Sequence, residues 1–70
     1  KREAIKCAIV RVLKQKQKME NDEMERAIIG RLQSKYDINA DQIRREAVLL
    51  ENKFIKSEVK DGQKIITYIG

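Results

Sequence analysis

Apolar residues recur at helical spacing over most of this chain, then give way near its end to two short runs rich in β-branched residues. Ile5, Ala8, Ile9, Val12 and Leu13 fall on one helix face while Lys6, Arg11, Gln15 and Lys18 point elsewhere, which predicts an amphipathic helix over residues 2–18. A second helix follows. Asp22 is placed to cap it, with Glu25 at the third position returning a hydrogen bond, and Met24, Ala27, Ile28 and Leu32 form its apolar stripe up to an end near Lys35. The third helix carries the clearest local signal, because Asn39 and Gln42 form a capping box while Ile38 and Ile43 are spaced for a hydrophobic staple. Ile43, Ala47, Leu50 and Phe54 are expected to face inward, and Arg44, Arg45, Glu46 and Asn52 outward.

Residues 55–60 and 63–69 flank Asp61-Gly62, the pair suited to a two-residue type I′ turn, and so predict a hairpin. That turn sets Ile55 opposite Tyr68, Ser57 opposite Ile66 and Val59 opposite Lys64, with Ile55, Val59, Ile66 and Tyr68 turned toward the helices. Three helices and a two-stranded wing, in this order, outline an α+β winged helix occupying residues 1–70 as one domain.

Composition narrows the picture. Hydrophobic residues make up 41% and charged residues 39% of the 70 positions, which suits a small folded domain with a well-solvated surface. Sixteen Lys and Arg against eleven Asp and Glu give a net charge of +5, which favours acidic partners or nucleic acid. Cys7 is the only cysteine, so no internal disulfide can form, and a cytoplasmic or nuclear setting is expected. No apolar run reaches the roughly 20 residues a membrane span needs, and no membrane partner is expected.

The search for catalytic chemistry is mostly negative. A chain with no histidine and one cysteine lacks an ordinary zinc site, a histidine-based triad and a thiolate–imidazole pair. Asp22, Glu23 and Glu25 are accounted for as negative charge near a helix N-terminus. Gly30, Gly62 and Gly70 are too scattered for a phosphate-cradling loop. The expectation is a domain that is not an enzyme and carries no cofactor or metal. The fold outline also supports DNA binding: Arg44 and Arg45 on the third helix, with Lys53, Lys56, Lys60 and Lys64 after it, are candidate nucleic-acid contacts. Glu46, Glu51, Glu58 and Asp61 interrupt that basic surface.

The segment Ala8-Ile9-Val10-Arg11-Val12-Leu13-Lys14 resembles the first-helix motif of the C-terminal winged-helix domain of the cullins, the scaffolds of multisubunit ubiquitin ligases. The likeness extends through Met19, Met24 and Leu32, through Ile43-Arg44-Arg45 and Leu49-Leu50-Glu51-Asn52-Lys53-Phe54-Ile55, to the ending Thr67-Tyr68-Ile69-Gly70. It implies that Lys14 accepts a ubiquitin-like modifier through an isopeptide bond (neddylation), with Ile9, Val10, Arg11, Val12 and Leu13 as its motif neighbours. The partners it implies are the modifier and its conjugating enzyme, a RING-finger protein and the rest of the cullin scaffold. A lysine amine is almost wholly protonated near neutral pH, so attack on the thioester requires desolvation or crowding by cations. Arg11 and Lys18, at i−3 and i+4 on the expected helix, would supply the crowding, and Val10 an apolar spot one turn below.

Overall fold

The computed structural model describes residues 2–70, arranged as α1 (Arg2–Lys16), β1 (Lys18–Glu20), α2 (Asn21–Leu32), α3 (Ala40–Leu50), β2 (Ile55–Lys60) and β3 (Gln63–Tyr68). The α+β class expected from the sequence is present, with three helices against one antiparallel sheet. The sheet has three strands in the order β1-β3-β2, where a two-stranded wing was expected. Among the described residues no helix is long and apolar enough to cross a membrane.

The core joins all three helices to the sheet. Ile5, Ile9 and Leu13 of α1, Met24 and Ile28 of α2, Ile43 of α3, Ile55 of β2 and Ile66 of β3 are buried almost completely. Each such side chain stabilises the fold by about 1.5–3 kcal/mol relative to exposure. Val12, Met19 and Leu50 close the periphery of this cluster, with Ala27, Leu32, Ile38, Ala47 and Tyr68 packed against it.

Helix α3 begins as its local signals require. The Asn39 side chain accepts a hydrogen bond from the Gln42 amide at 3.1 Å, and the Gln42 side chain accepts one from the Asn39 amide at 2.9 Å. The hairpin likewise has the expected register, with Ile55 opposite Tyr68, Ser57 opposite Ile66 and Val59 opposite Lys64. Asp61 and Gly62 at its tip take φ of 54° and 78°, the left-handed pair of a type I′ turn.

Other expectations need correction. Helix α1 stops at Lys16, because Gln17 adopts φ 71° and turns the chain into β1. Gln17 still donates its amide to the Leu13 carbonyl at 2.6 Å, while its own carbonyl accepts from the Tyr68 amide at 2.8 Å. Lys18 therefore lies on a strand opposite Thr67, not on the helix, and Met19 stands opposite Ile66 with both side chains buried.

Helix α2 starts at Asn21 behind Glu20, which gives no side-chain cap, so the proposed cap by Asp22 and Glu25 does not form. Glu25 is instead buried inside the domain. The helix ends at Leu32, whose carbonyl accepts from the Lys35 and Tyr36 amides at 3.0 and 2.8 Å in the following turn.

Two residues expected inside are outside, and one expected outside is inside. Val59 is 75% exposed because β2 runs past the helices toward the wing tip. Phe54 is 42% exposed, since it lies in the turn after α3 ends at Leu50 and no longer follows the helix's inward stripe. Glu46 is only 5% exposed.

Candidate functional site

The motif on α1 separates cleanly into buried and presented residues. Ile9 and Leu13 are fully buried and Val12 nearly so, whereas Val10 is half-buried and Arg11 and Lys14 are exposed. Helical spacing accounts for this division, because positions 9, 12 and 13 share the core face while 11 and 14 share the opposite one. Lys14 thus rises from a turn anchored by three apolar side chains. Among the described residues no carboxylate forms an ion pair with it.

The end of the helix beside Lys14 is held from two directions. Gln17 donates its side-chain amide to the Lys14 carbonyl at 2.6 Å, and through its backbone carbonyl it is joined to β3. Carbonyls in the last turn of a helix have no partner within the helix, so this amide satisfies one of them. The presenting turn is consequently fixed to the sheet.

Beside Lys14 runs a shallow groove. Val10, Leu50 and Phe54 supply its apolar floor, with Glu3, Lys6, Cys7, Arg11 and Lys14 along it. Phe54 enters this surface because the C-terminal segment clasps its turn: the Phe54 carbonyl accepts from the Ile69 and Gly70 amides at 2.8 and 3.1 Å. A Cβ at position 70 would lie 2.9 Å from the Phe54 ring, so the close approach requires glycine there. The expected crowding of Lys14 divides in the structure: Arg11 is on the same helix, but Lys18, on β1, is not at the i+4 position assigned to it.

The candidate nucleic-acid contacts are not equivalent. Arg45, Lys53, Lys56, Lys60 and Lys64 are exposed. Arg44 is engaged within the molecule, donating from Nε to Glu25 Oε2 at 3.0 Å and from Nη2 to Oε1 at 3.5 Å, with Asp41 3.5 Å from Nη1. The hydrogen bond to Glu25, followed by that carboxylate's charge, raises the Arg44 pKa above its ordinary value. Asn21 donates to the same Glu25 oxygen at 2.9 Å. This bracing of α2 against α3 occupies the guanidinium edge that reading a guanine would need.

A second buried carboxylate joins α3 to α1. Glu46 Oε2 accepts from Arg2 Nε at 3.1 Å, and Lys6 Nζ lies 3.9 Å from Oε1. Neither Glu25 nor Glu46 was legible as buried from the sequence. Their cationic partners lie 19 and 44 positions away, beyond the reach of any local pattern.

No protein-family model matches the chain, and no curated protein matches it.

Proposed function

We propose that this is the regulatory winged-helix domain of a cullin-type scaffold in a RING ubiquitin ligase, and that Lys14 is the acceptor of a ubiquitin-like modifier. The observation that carries the reading is the placement of Lys14. Within a cullin-like motif, it stands exposed and without a carboxylate partner among the described residues, on a turn anchored by Ile9, Val12 and Leu13. Solvated lysines are common, and the motif is what selects this one from the others.

In the proposed reaction the neutral ε-amine of Lys14 attacks the thioester carbonyl that joins the modifier's C-terminal glycine to a conjugating-enzyme cysteine. The carbon–nitrogen bond forms, the carbon–sulfur bond breaks, the cysteine leaves as thiolate and the amine releases a proton. The domain supplies position and surroundings, while the conjugating enzyme supplies the activated acyl group. Val10, Leu50 and Phe54 offer an apolar surface from which an approaching protein could exclude water beside the amine. A folded modifier at Lys14 would compete with packing of this domain on its neighbours and so free the RING partner to reach substrate. The setting that goes with this role is cytoplasmic and nuclear, and the role requires no catalytic residue or cofactor in the domain.

The test is a reconstituted conjugation reaction containing the modifier, its activating and conjugating enzymes and the RING partner, followed by peptide mapping. The expected branched peptide carries the modifier at Lys14. Finding it on Lys16 or Lys18 with Lys14 free would overturn the site assignment.

A further inference from the structure

The outward face of α3 combines features that neither the core nor the proposed acceptor site uses. Arg45, Val48 and Leu49 are neighbours at helical spacing, and Val48 and Leu49 are 62% and 47% exposed. Beside Leu49 a pocket of about 460 Å³ opens between α3 and the start of α1, lined by Arg2, Ile5, Gln42, Arg45, Glu46 and Leu49. Glu46 is 95% buried, with Oε2 bonded to Arg2 and Oε1 facing the Lys6 ammonium at 3.9 Å.

From this combination we infer a docking site on α3 for a partner protein's acidic segment bearing an aliphatic anchor. Each part of the site has a matching demand. Arg45 is exposed and forms no ion pair among the described residues, so it is free to bind a carboxylate. Arg2 stands at the same pocket with its side chain 71% exposed, and together the two arginines outweigh the single negative charge of Glu46. An aliphatic side chain covers Leu49 and Val48. Gln42, whose side-chain oxygen is held by the Asn39 amide, can donate from its NH2 at the rim.

Charge separates this occupant from the alternatives. A basic segment would meet Arg2 and Arg45, and a second copy of the chain would carry net charge of the same sign, +5. Nucleic acid would satisfy Arg45 but would place phosphates against Val48 and Leu49, with Arg44 already committed to Glu25. An acidic, aliphatic peptide meets both arginines and the aliphatic pair.

Amide NMR spectra of the isotopically labelled chain test the site directly, using as probe an acetylated and amidated peptide of alternating aspartate and leucine. Saturable shifts centred on Gln42, Arg45, Glu46 and Leu49 are expected. Arg45→Glu should weaken binding by about tenfold or more, the equivalent of losing and reversing one charge pair. Leu49→Ser should weaken it by a lesser factor, and the spectrum of the remaining core should be unchanged in both variants because both side chains are exposed. Three results would each overturn the proposal: no saturable shifts, equal shifts with lysine replacing aspartate, or affinity unaffected by both variants. Tighter binding of a short DNA duplex at these same amides would also overturn it, in favour of a nucleic-acid surface. None of these readouts depends on whether Lys14 is modified.

Discussion

Helices α1 and α3 pack on the same core, yet they divide their residues in opposite ways. On α1 the inward face is wholly apolar, with Ile5, Ala8, Ile9, Val12 and Leu13 buried, and the outward face is polar. On α3 a carboxylate, Glu46, is buried beside Ile43 and Leu50, while Val48 and Leu49 face out. Helix α1 thus resembles an ordinary amphipathic element that presents two lysines, Lys14 and Lys16, in its last turn. Helix α3 departs from that arrangement on both faces, and an exposed aliphatic pair beside a charged pocket marks a surface suited to another molecule. The two helices present different chemistry: α1 carries the proposed acceptor lysine, and α3 the proposed docking surface.

The sharpest way to break this comparison is at Lys14. Lys14→Arg should abolish the principal conjugate in the reconstituted reaction while leaving the circular-dichroism melt unchanged, since arginine keeps charge and helix propensity but cannot form the ordinary isopeptide linkage. Lys16→Arg and Lys18→Arg should retain the conjugate. If Lys14→Arg still yields it in full, α1 presents no unique point.

Adjacent leucines on α3 give the next largest contrast. Leu50→Ala should cost about 2–5 kcal/mol in urea unfolding because it opens the core, whereas Leu49→Ala should fall within about 0.5 kcal/mol. Similar values for both would mean that the outward face of α3 is structural.

A smaller difference separates adjacent arginines. Arg44→Ala should lower the melting temperature, because buried Glu25 loses its cationic partner, and Arg45→Ala should leave it nearly unchanged. Equal melts would show that the Glu25 pair adds nothing to stability.

The smallest expected effect is at the wing. Val59→Thr should change stability by no more than about 0.5 kcal/mol, since the side chain is exposed and threonine suits a strand. A substantial loss would place Val59 against the helices after all.

What could be foreseen from sequence follows the distance over which each feature is determined. Asn39 with Gln42, and Asp61 with Gly62, act over at most three residues, and both the α3 start and the hairpin register were legible from them. Strand β1 was not. It contains three residues with a single buried side chain, Met19, and exists because it pairs with β3 far along the chain. Glu25 shows the same limit at another scale, since a glutamate near a helix start suits a capping role until Arg44 is brought to it by the fold. Lys14 was singled out by the motif around it, and helical spacing alone foretold only that it would face outward.

Gln17 also bears on how an attached modifier would move. Because this residue fastens the last turn of α1 to β3 through the Tyr68 amide, the attachment point cannot swing independently of the sheet. Freedom of a modifier on Lys14 would then reside in the lysine's aliphatic stem and the modifier's own tail. Those two lengths would set the modifier's effective concentration at each surface of the domain, so a longer tail would dilute contacts near the attachment point while extending reach to more distant surfaces.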